Sequence, residues 1–136
     1  MPAIVDDIYR ILAPGGIFRL CLPDYRFSVY RDRTLKDEQG LFVFDPGGGG
    51  QLIDGEVTGG GHVWFPTFEV VRDLLESSPF GRDGHIEFLH YNAPDGATVL
   101  KRIDYSLGNV QRTPDHDPRG TTGEAISIVV DARKAQ

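Results

Sequence analysis

Ile8-Tyr9-Arg10-Ile11-Leu12-Ala13-Pro14-Gly15-Gly16-Ile17-Phe18-Arg19-Leu20-Cys21-Leu22-Pro23-Asp24 reads as the end of a helix, a tight turn, a strand and a stop. Ile4, Val5, Ile8, Ile11 and Leu12 fall at helical spacing and draw one apolar stripe. Pro14 cannot continue that helix, and Gly15-Gly16 tolerate the positive φ of a sharp reversal. Ile17 to Leu22 is almost continuously apolar, the pattern of a strand covered on both faces in a mostly parallel sheet. Pro23 closes the strand because it cannot donate to a ladder. Asp24 is therefore expected just past the strand's carboxyl end, the rim where open α/β sheets bind ligands.

Downstream, residues 25–62 read as a lid-like insertion over that rim. Leu41-Phe42-Val43-Phe44 is a short strand, Gly47 to Gly50 a loop, and Gln51-Leu52-Ile53 a return strand. Pro66-Thr67 opens a second helix with Thr67 as its cap and Phe68, Val71, Leu74 and Leu75 as its stripe. Pro79 to Gly84 ends it, and His85 to Tyr91 alternates as a strand. His85 and His90, an odd number of residues apart, are expected on opposite faces of that strand. Residues 92–124 form a second excursion with a hairpin around Val99 to Tyr105, and Ile126 to Val130 is the last strand. The whole of 1–136 reads as one domain.

Tyr9 to Gly16 followed by a strand ending in Pro23-Asp24 resembles the Arg-x-Leu-Lys-Pro-Gly-Gly turn and fifth strand of class I S-adenosylmethionine-dependent methyltransferases, with Ala13 where lysine is usual. Gly61-His62-Val63-Trp64-Phe65, Ile103 to Gly108 and Gln111 to Asp117 resemble a branch of predicted methyltransferases near sugar and lipopolysaccharide biosynthesis. The resemblance spans nearly the whole chain and maps onto the carboxyl-terminal half of that family. It implies an incomplete Rossmann-like α/β fold with about three core strands, the last antiparallel between the other two, two main helices and a lid. It also implies S-adenosylmethionine as cofactor and a small-molecule methyl acceptor. The family's glycine-rich turn and acidic cofactor-binding residue have no room before Ile8, so a truncated, cofactor-poor chain inactive by itself is the expectation. The alternatives are a non-catalytic assembly module docking through an exposed strand edge, or one half of a split methyltransferase.

Four residues are candidates for the acceptor site. Asp24 and Tyr25 stand where the family places substrate-facing groups, although Asp24 also suits a local turn cap. His62 suits a general base for an acceptor hydroxyl or amine, or a lid anchor. Trp64 is a packing residue that also suits substrate contact. The glycines at 47–50 and 59–61 lack the strand-to-helix context of a nucleotide-binding turn, and Asp115-His116-Asp117 lacks the spacing of a metal site. Arg26, Arg31 and Arg33 form a modest basic cluster suited to a phosphate or carboxylate, or to a solvated lid surface.

Composition narrows the partners. A formal net charge of -6 argues against a nucleic-acid backbone. One cysteine, Cys21, allows no intrachain disulfide and suits a reducing cytoplasm. No apolar run approaches the roughly 20 residues of a membrane span, and no basic-then-hydrophobic leader opens the sequence. The apolar strand 17–22, without its family neighbour, is expected to pair along its open edge with its own copy in a homodimer or with an amino-terminal half.

Overall fold

The computed structural model describes residues 2–136, and for Thr121 the backbone alone. In chain order come α1 (Pro2–Ile11), β1 (Ile17–Pro23), α2 (Ser28–Arg33), β2 (Leu35–Lys36), β3 (Phe42–Phe44), β4 (Gln51–Ile53), β5 (Glu56–Thr58), α3 (Phe68–Glu76), α4 (Pro79–Asp83), β6 (His85–Asn92) and β7 (Thr98–Leu100). Two 3-10 turns, Tyr105–Leu107 and Pro118–Thr122, precede β8 (Ser127–Arg133).

The expected fold class is corrected by the sheet. Four strands lie in the order β1-β8-β6-β7 and every neighbouring pair is antiparallel, so the described residues show no Rossmann-like parallel core. The last strand keeps its expected place, antiparallel between β1 and β6; those two strands, which share a direction, therefore never bond. The fourth strand arises because Ala93 N–H donates to Ala97 O at 2.7 Å and turns the chain straight back into β7. That hairpin replaces the one expected at Val99 to Tyr105. Two separate two-stranded sheets, β2-β3 and β4-β5, and four helices complete a mixed α/β architecture.

The turn between α1 and β1 forms as its sequence requires. Gly15 adopts φ +71°, and Gly16 N–H donates to Ala13 O at 2.9 Å, where a Cβ would sit 2.8 Å from that same oxygen. The apolar stripe of α1 is rotated from its expected line. Val5, Ile8, Tyr9 and Leu12 pack inward, whereas Ile4 and Ile11 are 58% and 69% exposed. Tyr9 causes the rotation, because its ring meets Phe80 edge-on with centroids 4.9 Å apart.

Along β8 the period of two separates the sheet's faces. Ile128, Val130 and Ala132 meet Val71, Leu75 and Phe80 in the core beneath α1, α3 and α4. Val129, on the other face, packs with Leu89 of β6 and with Ile103 and Val110 from the excursion after β7. On that second face Arg19 grips Asp131 through two 2.7 Å hydrogen bonds and donates to Asp104 O and Gly108 O, which holds the excursion down. β1 is thus an edge strand, half-buried along its length rather than covered on both faces.

Thr67 precedes α3 but does not cap it. Its hydroxyl donates to Glu69 Oε2 at 3.0 Å instead. The expected stop at 79–84 is itself a short helix, α4, begun by Ser78 Oγ accepting from Phe80 N–H at 3.2 Å with Pro79 in the first turn. The expected lid also carries its own core. Tyr25, Phe27, Tyr30, Phe42 and Phe65 cluster on Ile126 just before β8, so the aromatic content of this segment fixes it to the sheet rim.

Candidate functional site

β1 ends at Pro23 and delivers two neighbours to opposite tasks. Asp24 is fully buried and faces inward. Its Oδ1 accepts from Arg26 N–H at 2.9 Å, and its Oδ2 accepts from Asn92 N–H at 2.7 Å and Asn92 Nδ2 at 3.1 Å. Asn92 in turn donates to Ala125 O and accepts from Ala125 N–H and Thr98 Oγ1. The pair Asp24-Asn92 therefore stitches together the ends of β1, β6 and β7 and the approach to β8. Burial pushes the Asp24 carboxyl above its ordinary pKa, against the opposing pull of these N–H donors.

Tyr25 turns the other way, toward the 45–62 segment. Its hydroxyl donates to Asp45 Oδ2 at 2.7 Å and lies 3.0 Å from His62 Nδ1. Asp45 and His62 are held opposite one another by an antiparallel bridge whose two backbone hydrogen bonds are both 2.9 Å. Asp45, fully buried, also accepts from Arg33 Nε at 2.7 Å, Arg33 Nη2 at 2.8 Å and Gly47 N–H at 2.8 Å. Burial alone would push the Asp45 carboxyl up, but the hydrogen bonds from Arg33, Tyr25 and Gly47 outweigh it and hold the group well below the carboxylate range. Burial and the adjacent Asp45 push the Tyr25 phenol far up, so it stays protonated as a donor.

These contacts fix a proton order. The Tyr25 O–H points to Asp45, so its oxygen lone pair faces His62 Nδ1, and an Nδ1–H tautomer completes the chain. Nε2 then carries the free lone pair. It makes no hydrogen bond among the described residues, and the His62 side chain is 42% exposed. The direct separation from His62 Nδ1 to Asp45 Oδ2 is 3.5 Å, so Tyr25 is the better mediator between imidazole and carboxylate. Gly61 makes the approach feasible: at φ +112° its absent Cβ would stand 2.6 Å from Phe44 and 2.7 Å from Asp45 O.

Tyr25 also lines a cleft of about 540 Å³ with Arg26, Arg31, Phe42, Thr67 and Asn92. Of the four residues expected from sequence, Tyr25 and His62 are brought together, Asp24 is occupied in the strand-end clasp, and Trp64 stands apart with 38% of its surface exposed. Asp45 and Asn92 were not among the expected residues. Asp45 directly before Pro46 and four glycines was the available signal for the first; nothing local distinguishes Asn92.

The residues present do not fit S-adenosylmethionine. Gly47 to Gly50 and Gly59 to Gly61 flank the β4-β5 hairpin, where two backbones cross closely: a Cβ at Gly50 would lie 1.5 Å from Gly60 O. Gly50, Gly60 and Gly61 thus serve the close approach of chain to chain. Gly15-Gly16 joins a helix to a strand, the reverse of the strand-to-helix order that places a phosphate or cofactor at a helix start. Comparison with protein-family models, curated proteins and solved structures finds no match to this chain. No helix among the described residues is long and apolar enough to cross a membrane.

Proposed function

We propose that this segment is the acceptor-side portion of an S-adenosylmethionine-dependent methyltransferase, with the methyl donor held by residues outside it, and that it is inactive by itself. The reading rests on the resemblance of Tyr9 to Asp24 and of Gly61 to Phe65. The observation that carries it is the chain His62 Nδ1–H, Tyr25 hydroxyl, Asp45 carboxylate, which leaves His62 Nε2 free as a base. His62 takes the proton from an acceptor hydroxyl or amine as that atom becomes the nucleophile. The resulting imidazolium keeps its Nδ1–H on Tyr25, and the Asp45 charge steadies it through the phenol.

The test is a methylation assay with labelled S-adenosylmethionine in the complete protein carrying this segment. His62→Gln should lower turnover about 100-fold while leaving cofactor affinity and the fold unchanged. Undiminished turnover in that variant would remove His62 as the base. Turnover by residues 1–136 alone would overturn the divided site.

A second reading, an assembly module, is favoured by a separate observation. Among the described residues nothing pairs with the outer edge of β1, and Ile4 and Ile11 expose apolar surface on the neighbouring helix. An open edge of seven residues invites another strand, either its own copy or an amino-terminal half. The mass in solution decides between them for the isolated chain. A homodimer should revert to monomer in Leu20→Pro, which disrupts the β1 edge, and a wild-type monomer leaves only a different chain as the partner.

A further inference from the structure

Along β1 the backbone groups alternate between β8 and open space. Lys134 N–H donates to Gly16 O at 2.9 Å and Asp24 N–H donates to Ile126 O at 3.2 Å, so the even-numbered residues between them turn N–H and C=O toward β8. Ile17, Arg19, Cys21 and Pro23 turn theirs the other way, where no strand lies among the described residues. Pro23 supplies that outer edge with an acceptor alone.

An edge strand that stays unpaired is ordinarily blunted by outward charge, by an interior proline or by a bulge. β1 carries none of these. Its register against β8 is unbroken, its proline stands at the last position, and its one charged side chain, Arg19, is locked on Asp131 at 2.7 Å. The helix above the edge is equally open. Tyr9, on one flank of α1, meets Phe80 of α4, and α4 packs toward β6 on the inner side of the sheet. The opposite flank therefore overhangs the outer side of β1, and it bears the exposed Ile4 and Ile11, about two turns apart on one line.

We propose that β1 pairs antiparallel with β1 of a second copy of this chain, in a register centred on Leu20. The proposal rests on the assembly reading above, not on methyl transfer, and commits it to one partner. Between the copies, Ile17 stands opposite Pro23, Phe18 opposite Leu22, Arg19 opposite Cys21, and Leu20 opposite itself. Every outward N–H then finds an acceptor: Ile17 donates to Pro23 O, Arg19 to Cys21 O, and Cys21 to Arg19 O. Pro23 is asked for a donor only by the Ile17 carbonyl, at the end of the ladder. Charge selects this register, because one centred on Arg19 sets two guanidiniums directly opposite one another. Phe18, Leu20 and Leu22 face the core beneath α1, so that face stays apolar across the junction. The two-fold axis keeps both α1 helices on one face of the joined sheet and turns their Ile4 and Ile11 flanks toward each other. A second copy thus meets the demands of the edge and of the helix flank at once.

Sedimentation of the isolated chain should show a dimer. Cys21→Pro removes an outward N–H and spares the ladder to β8, and it should weaken the dimer about 30-fold. Ile11→Asp puts a charge on the exposed helix flank and should weaken it about as much, in a position where folding is not at stake. The register is read by cross-linking. In a Cys21→Ser background, Leu20→Cys should form an intermolecular disulfide under mild oxidation, since non-hydrogen-bonded antiparallel partners have Cα atoms about 4.5 Å apart. A wild-type monomer overturns self-pairing and leaves the assembly reading with a foreign chain. A dimer that survives both Cys21→Pro and Ile11→Asp overturns this edge as the contact, and a dimer that resists the Leu20→Cys cross-link overturns the register.

Discussion

Asp45→Ala should cost about 3–5 kcal/mol of folding stability, read as a lower midpoint in urea with an unchanged slope. The deletion removes one buried acceptor and orphans four donors at once: both Arg33 nitrogens, the Tyr25 hydroxyl and Gly47 N–H. Tyr25 is buried and its hydroxyl keeps only His62, while Arg33, stacked 4.6 Å over the Tyr30 ring, is left without its counterion. Asp45→Asn, which preserves shape, should cost less, about 1.5–3 kcal/mol, because the charge-assisted part alone is lost. The sign of the pH dependence follows from the depressed pKa. A carboxyl held below its unfolded value of about 3.9 stabilises the fold above that pH. The contribution is lost as pH falls through the lower folded value. Acid unfolding of the wild type should therefore steepen below about pH 4, and Asp45→Asn should flatten that limb. An identical acid limb in both proteins would show that Asp45 is not paired as described.

Asp24→Ala should cost about 2–4 kcal/mol, with the loss centred on the sheet rather than on the 25–62 segment. Three N–H groups, from Arg26 and twice from Asn92, lose their acceptor in a site closed to water. Hydrogen exchange locates the damage: the amides of Asn92 and Thr98 and the junction at Ala125 should lose protection first. The pH dependence has the opposite sign to that of Asp45. Burial raises the folded pKa of Asp24 above its unfolded value, so its contribution is fullest below the unfolded value and declines as pH rises through the folded one. Wild type measured against Asp24→Asn separates the two carboxylates, since the difference from Asp24 should shrink with rising pH whereas that from Asp45 grows. A difference between Asp24→Asn and wild type that is flat with pH would contradict the assigned burial.

The elements that could be read from sequence are those whose cause is local. Pro14 and the two glycines after it impose the reversal into β1, and Pro23 ends that strand, because φ restriction and a missing donor act wherever the chain is. The helical stripe of Phe68 to Leu75 and the strand pattern of His85 to Tyr91 likewise carry their periodicity in themselves. Tyr25 and His62 could be picked out from their places just past β1 and before α3, together with the resemblance. Their partner Asp45 was not, since an aspartate before Pro46 suits an ordinary turn equally well.

The remaining features were decided by contacts distant in sequence. An apolar run such as Ile17 to Leu22 reads as doubly buried, yet its burial depends on which strand takes the neighbouring position, and β8, more than a hundred residues later, takes only one side. The antiparallel place of β8 between β1 and β6 was implied by the resemblance rather than carried by any one strand's pattern, and with β7 turned back onto β6 it makes the sheet wholly antiparallel. The same holds for the aromatic residues of 25–62, whose abundance suits a lid but whose rings, with Phe65, meet Ile126 and become a core. Sequence alone determined the turns whose cause is local, at Pro14-Gly15-Gly16 and at Pro23. Tertiary structure alone decided that Asp24 faces inward while Tyr25 faces His62, because each side chain settles where its buried hydrogen bonds are satisfied by residues that local sequence cannot supply.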